Sequence, residues 1–154
     1  MKNFMEEALA EAKKAADLKE VPVGAVIVKD GIIVGRGHNL TENTKDPTAH
    51  AEMIAIREAA KTLGGWRLLG CEMYVTCEPC SMCAGAMVWA RLSKVYIGTM
   101  DPKGGACGSV LNVLQEKRLN HNVEIHTGVM QQECSTIMKD FFRNLRTTTK
   151  SEET

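Results

Sequence analysis

Aromatic residues are scarce in this sequence, at 5% of 154 residues, which predicts a core built mainly from aliphatic side chains and methionine. Net charge is missing as well, because 19 basic residues balance 19 acidic ones. A chain without net charge has no overall field that would draw it to a nucleic acid or a membrane surface. Any such binding would have to use a local patch.

Long apolar runs are also missing. The most hydrophobic stretch, residues 79–90, is far shorter than the ~20 residues that cross a bilayer. No signal-peptide run is present in the N-terminal segment "MKNFMEEALAEAKK". We therefore expect no membrane contact and a cytoplasmic location, where thiols stay reduced. In that compartment the six cysteines do not imply disulfides, and closely spaced pairs point to metal or redox chemistry.

The hydrophobic pattern predicts alternating helices and strands in a single domain over residues 1–146. Two β-branched runs meet at the Asp-Gly dipeptide of positions 30–31, a hairpin signal. From the third strand onward a helical segment follows each strand, which favours parallel neighbours and helices on both faces of one mixed sheet. We also expect a polar loop at residues 39–47, a short helix near residues 110–117, and a frayed tail at residues 147–154.

Two short motifs carry the chemistry. Cys80 and Cys83 have the C-x-x-C spacing that lets two thiolates bind one tetrahedral metal ion. The proline before Cys80 suits the start of a helix, whose partial positive charge favours a thiolate. His50 lies near the start of the preceding helix, so the two helix starts can face each other at one sheet edge. One imidazole and two thiolates are ligands that suit zinc.

Glu52 gives this set a possible catalytic use. Three protein ligands leave a fourth position for water, whose pKa zinc lowers from about 15.7 to about 7. Glu52 is then close enough to move a proton. Residues two apart diverge by roughly 200° on a regular helix, so His50 and Glu52 converge only where the helix is irregular. We therefore predict that His50 lies within the first turn of its helix.

Other interpretations of these motifs remain open. A histidine and a glutamate two apart are often plain surface residues, and a C-x-x-C pair is also typical of a thioredoxin-like dithiol. A further alternative adds Cys77 as a fourth ligand, which would make a closed structural zinc site with no position for water. The turn of the chain at Pro79 argues against that closed site. The remaining cysteines are expected in the core or in small loops: Cys71, Cys107 and Cys134.

These motifs resemble those of the cytidine/deoxycytidylate deaminase superfamily, which has a His-x-Glu and Pro-Cys-x-x-Cys signature. The likeness runs nearly from end to end and includes "VPVGAVIVKDG", "DPTAHAEM" and "YVTCEPCSMCAGAM". The segments "DPKGGACGS" and "DFFRNLR" are similar to the bacterial tRNA-specific adenosine deaminases in particular. The resemblance implies a three-layer α/β/α sandwich with a central five-stranded mixed sheet. It also implies a homodimer, and the apolar residues that hint at an interface are Met87, Val88 and Trp89.

The resemblance implies roles for individual residues as well. The ligands of one Zn²⁺ per subunit would be His50, Cys80 and Cys83. Glu52 would shuttle protons in the hydrolytic deamination of adenosine to inosine at the wobble position of a tRNA anticodon. The flipped nucleotide and the anticodon stem-loop would contact a larger set: Asn39, Ala51, Asp101, Lys103, Asn120, Phe141, Phe142 and Arg146. The family usually has leucine where this chain has Cys77, which slightly strengthens the closed-site alternative.

The substrate side of the prediction has less support in the residues themselves. Two adjacent phenylalanines at helical spacing are usually core residues, so we expect at least one of Phe141 and Phe142 to be buried. Beside basic residues of the same helix they are also typical of single-stranded RNA binding. A free guanine or cytosine deaminase shares the zinc signature. A non-catalytic, zinc-stabilised RNA-binding protein is the other alternative, although it would have no use for Glu52.

Overall fold

A computed structural model describes residues 3–153, with side chains through residue 147. The strands are β1 (Gly24–Lys29), β2 (Ile32–His38), β3 (Cys71–Cys77), β4 (Lys94–Thr99) and β5 (Glu124–His126). The helices are α1 (Phe4–Asp17), α2 (Thr41–Thr44), α3 (Ala51–Leu63), α4 (Ser81–Ala90) and α5 (Gln131–Glu153), with a 3₁₀ helix at Val113–Gln115. Fraying of residues 147–154 stays a prediction, since most of their side chains lie outside the described part.

The five strands form one mixed sheet in the order β2-β1-β3-β4-β5. β1 and β2 form an antiparallel hairpin around Asp30 and Gly31, whose φ values of 51° and 76° suit a tight two-residue turn. β1 is also antiparallel to β3, whereas β3 with β4 and β4 with β5 are parallel. The parallel pairs have long connections between them, as parallel strands require. The predicted five-stranded mixed sheet is confirmed.

The interior strand β1 has a core on both sides because successive side chains of a strand point to opposite faces. Ala25 and Ile27 join the larger apolar cluster, which packs under α3 and α4. Val26 and Val28 join the smaller cluster under α1 and α5. Helices therefore cover both faces of the sheet, which confirms the three-layer α/β/α architecture.

Helix α3 approaches β2 closely because two glycines of that strand face it. A Cβ atom on Gly35 would lie 2.3 Å from the carbonyl oxygen of Ala55. A Cβ atom on Gly37 would lie 2.5 Å from the carbonyl oxygen of Ala51. This backbone-to-backbone contact determines where α3 begins relative to the sheet.

Several local predictions need correction. The segment at residues 39–47 contains the short helix α2 rather than only a loop, and the helix near residues 110–117 is a three-residue 3₁₀ helix. Met87 and Val88 are buried within the chain, so only Trp89 of that apolar set is exposed, at 69%. Among the described helices, none combines the length and the apolar character of a membrane span. The expected burial is confirmed for Cys71, Cys107 and Cys134.

Candidate active site

The candidate site lies at the sheet edge where β2, β3 and β4 end and β1 begins. The last residues of the parallel strands β3 and β4, Cys77 and Thr99, are register partners. Helices α3 and α4 begin at this edge, and their N-caps are His50 and Cys80. His50 has extended backbone dihedrals, φ −80° and ψ 154°. It thus lies immediately before the first turn rather than within it.

Three potential metal ligands converge at these helix starts. Nδ1 of His50 lies 3.6 Å from Sγ of Cys80 and 3.5 Å from Sγ of Cys83, and the three ligand atoms all lie within 4.8 Å of one another. One imidazole and two thiols at this spacing fit a tetrahedral ion such as zinc. Across residues 3–153, Cys77 belongs to no such group, so the geometry favours an open three-ligand set over the closed site.

The start of α4 makes the two thiols of this set unequal. A hydrogen bond from the Cys83 thiol lowers the pKa of Cys80 to about 5, with help from the backbone N–H groups of Cys83 and Met82. The same hydrogen bond, together with burial, raises the pKa of Cys83. A thiolate is the form that binds a metal ion, and a bound cation would deprotonate the second thiol as well.

Glu52 is the carboxyl group beside this set. Its side chain is only 3% exposed and has the Cys83 side chain as a hydrogen-bonding neighbour. Burial raises the pKa of Glu52 to about 7, against smaller opposing effects of its own backbone N–H and of His50. A carboxyl group with such a pKa can both accept and donate a proton near neutral pH.

A cavity of about 300 Å³ lies at these residues. It brings together six of the predicted site residues: Asn39, His50, Ala51, Glu52, Cys80 and Asp101. Cys83 is fully buried. The cavity wall also includes residues to which the sequence analysis gave no role: Val21, Val23, Thr41, Glu78 and Met138. Of these Glu78 carried a signal, because a glutamate between a buried strand and an apolar helix must find partners in the interior.

A second cavity of about 460 Å³ adjoins the first, and Val21 and Thr41 line both. Phe141 and Phe142 lie on its wall. Phe141 is half-buried and Phe142 is 39% exposed, so the expectation that at least one would be buried is wrong. Three other predicted contact residues are exposed and line neither cavity: Lys103, Asn120 and Arg146.

Similarity to known proteins agrees with this geometry. Residues 1–146 match the family model of the MafB19-like deaminases. The chain is 53% identical over 143 residues to the tRNA-specific adenosine deaminase of Bacillus subtilis (strain 168), covering 93% of this chain and 89% of that relative. The chain belongs to the tRNA-specific adenosine deaminase family.

Solved structures support this membership and show how widely the family's fold is shared. A tRNA:A34 deaminase, studied for A-to-I editing at the wobble position of transfer RNA, is 44% identical with a TM-score of 0.84, covering 87% of this chain and 97% of that one. A guanine deaminase from Bacillus subtilis is 43% identical with a TM-score of 0.61, covering 65% of this chain and 66% of its own. This member of the tRNA-specific adenosine deaminase family is therefore an enzyme, which confirms the resemblance drawn from its motifs.

Proposed function

We propose that this enzyme uses zinc to hydrolyse adenosine to inosine at the wobble position of a tRNA anticodon. The observation that carries the proposal is that a buried Glu52 lies beside the convergent His50, Cys80 and Cys83, at a cavity whose wall includes Glu52, His50 and Cys80. The choice of substrate rests on the Bacillus subtilis relative and the tRNA:A34 deaminase, both named for tRNA.

The proposed zinc ligands are His50, Cys80 and Cys83. Zinc bound there would lower the pKa of a water molecule to about 7. Glu52 would move one proton from the attacking water to N1 of adenine and a second proton to the leaving amine. The water oxygen is added at C6, the bond from C6 to the amine nitrogen breaks, and ammonia and inosine are the products. Burial raises the pKa of Glu52 above its ordinary range, which suits a carboxyl group that both accepts and donates a proton.

The proposed substrate contacts follow from position. Asn39 and the backbone N–H of Ala51 would orient the flipped nucleotide in the first cavity. Phe141 and Phe142, on the wall of the adjoining cavity, would stack on neighbouring unpaired bases of the anticodon loop. An anticodon loop already presents unpaired bases, so most of the energy of unpairing is avoided. The remaining proposed contacts are Asp101, Lys103, Asn120 and Arg146.

We propose a homodimer in the cytoplasm as the working form. Large apolar side chains are exposed on α4 and on the loop after β4, with Trp89 at 69%, Val110 at 56% and Leu111 at 54% exposure. Exposed apolar side chains of this size favour a protein–protein contact. Light scattering coupled to size-exclusion chromatography tests this, and a monomer at all concentrations would contradict it.

The function is tested with purified protein whose zinc content has been measured. The substrate is an anticodon stem-loop with adenosine at the wobble position, and inosine is detected by mass spectrometry. Controls are the same stem-loop with guanosine at that position, free adenosine, guanine and cytosine, and the Glu52→Gln variant.

Inosine from the stem-loop alone supports the proposal. Ammonia released from guanine instead would contradict the proposed tRNA substrate and support a free base as the substrate. The similarity to a guanine deaminase makes this the main alternative. A zinc-loaded protein that is inactive on every substrate would overturn the enzymatic proposal in favour of an RNA-binding role.

A further inference from the structure

Two buried glutamates receive hydrogen bonds from the two loops that flank the first cavity. Glu20 is fully buried and Glu78 is 4% exposed. Within the described part of the chain, neither carboxylate forms a salt bridge. A buried charge without a cation must be stabilised by hydrogen-bond donors, and here the donors belong to two segments that contribute Thr41 and Asp101 to the cavity wall.

Glu20 holds the segment that forms α2. Its Oε2 accepts hydrogen bonds from the backbone N–H and the side-chain Nδ2 of Asn43, at 2.7 and 2.8 Å. Its Oε1 accepts from the backbone N–H of Glu42 at 3.0 Å and from the hydroxyl of Thr41 at 3.5 Å. A helix of four residues is not stable alone, so the conformation of this segment depends on the buried carboxylate.

The same segment positions Asn39. The backbone N–H of Thr41 donates to Oδ1 of Asn39 at 3.2 Å, and Nδ2 of Asn39 donates to the carbonyl oxygen of Val21 at 3.3 Å. Val21 directly follows Glu20, and both Val21 and Thr41 line the cavity. Glu20 therefore sets the orientation of Asn39 through two residues. Val21 follows Glu20 in the chain, and the hydroxyl of Thr41 donates to Glu20.

Glu78 holds a second segment, the Gly-rich loop of residues 100–109. Its Oε1 accepts from the backbone N–H of Asp101 at 2.9 Å and from the Ser109 hydroxyl. Its Oε2 accepts from the backbone N–H groups of Cys107 and Ser109, both at 3.0 Å. The loop wraps so tightly that a Cβ atom on Gly105 would lie 2.2 Å from the carboxyl carbon. Asp101, at the start of this loop, lines the cavity.

We propose that Glu20 and Glu78 are positioning residues for the deamination reaction, each holding one wall of the cavity in the conformation that receives the nucleotide. They act on substrate binding through Asn39 and Asp101, and leave the chemistry at Glu52 unchanged. The proposal rests on the proposed function for its substrate, but its structural content does not depend on that function.

The test replaces each glutamate with glutamine, which has the same shape but turns an NH₂ group toward N–H donors. We expect KM for the anticodon stem-loop to rise roughly tenfold for Glu20→Gln and for Glu78→Gln. kcat should change by less than about threefold, and zinc per chain should match the wild type.

Glu11→Gln is the matched control. Glu11 is also buried, at 3% exposure, but its partners are Lys14, Arg36 and His38, none of which lines the cavity. The Glu11→Gln variant should have a lower Tm than the wild type but an unchanged KM when it is assayed well below that Tm.

Amide hydrogen exchange on the zinc-loaded proteins gives a readout that needs no activity. Glu20→Gln should accelerate exchange about tenfold or more at Glu42 and Asn43 but not at Cys107 and Ser109, and Glu78→Gln should do the reverse. If a glutamine variant does not fold, two alanine variants replace it. Asn43→Ala removes a side-chain donor to Glu20 and Ser109→Ala removes one to Glu78. Each should give a smaller effect in the same pattern.

The outcomes separate the two proposals. A lower Tm with KM and exchange unchanged, as in Glu11→Gln, would overturn the positioning role. Local exchange that follows the expected pattern in a protein inactive on RNA would support the positioning of the walls while the proposed function fails. An exchange pattern unchanged from the wild type, in variants that are active on the stem-loop, would overturn the positioning role while the proposed function stands.

Discussion

Replacing Gly37 with alanine is expected to disturb the active site without altering any of its side chains. A Cβ atom at residue 37 would lie 2.5 Å from the carbonyl oxygen of Ala51 and 2.9 Å from the backbone nitrogen of Ala55. Both atoms belong to the backbone of α3 and cannot rotate aside as a flexible side chain would. The start of α3 must therefore move away from β2.

The size of that movement determines the expected effect. Relaxing the contact with Ala51 to an ordinary van der Waals distance requires a shift of roughly 1 Å. Overpacking of this kind costs about 1–3 kcal/mol of stability, and a 1 Å misplacement of reacting groups lowers a rate by about 10²-fold. Because His50 and Glu52 flank Ala51, the shift would move a proposed metal ligand and the proposed proton shuttle together.

The assay compares kcat on the anticodon stem-loop, zinc per chain and the free energy of unfolding for the wild type and Gly37→Ala. Gly65→Ala is the matched control, since it adds the same methyl group where no heavy atom lies within 4 Å, and it should behave like the wild type. If Gly37→Ala loses stability but keeps wild-type kcat and zinc, the β2–α3 contact does not set the site geometry and the reasoning is refuted.

Three further changes test the site and the cavity walls. Glu52→Gln should lower kcat by about 10²–10⁴-fold, the range for lost general acid–base catalysis, with zinc per chain unchanged; lost zinc would instead make the carboxylate a ligand. Cys77→Ala should keep both zinc and turnover, because the thiol of Cys77 lies outside the group formed by His50, Cys80 and Cys83; a variant that lost its zinc would instead support the closed four-ligand site. Burial alone would raise the pKa of Glu20, but hydrogen bonds from Asn43, Glu42 and Thr41 outweigh it and hold that pKa below its ordinary value of 4.5. The stability that Glu20 contributes is therefore present above pH 4.5 and lost as the pH falls through the lower folded-state pKa. The Tm difference between the wild type and Glu20→Gln should be constant near neutral pH and shrink in acid, and a difference that grows on acidification would contradict this sign.

The motif spacing and the order of helices and strands along the chain were predictable because both are local or nearly local. The C-x-x-C spacing places Cys80 and Cys83 at one helix start whatever the rest of the chain does, and the Asp-Gly dipeptide specifies a two-residue hairpin. The alternation of strands and helices after that hairpin restricts the sheet to parallel pairs in its second half. The convergence of His50 with the two cysteines follows from that topology, since both helices begin at the same sheet edge.

Burial and long-range partners could not be predicted in the same way. The exposure of Phe141 and Phe142 beside the cavity could not be predicted from the apolar pattern of α5, because it depends on how α5 packs against the rest of the chain. Glu20 looks like an ordinary charged residue in the sequence. The position of Glu78 between a buried strand and an apolar helix indicates partners in the interior, but not which residues they are.

The family, the order of the elements and the residues able to bind a metal can be read from the sequence, because they depend on spacing and period along the chain. The fold was needed to show which loops meet the two buried carboxylates, which aromatic rings face solvent, and that Cys77 stands outside the ligand group. A hydrogen bond or a buried contact depends on segments that are distant in the chain and meet in space. The partners of Glu20 lie more than twenty residues away, at positions 41–43, where the sequence pattern indicated only a polar loop.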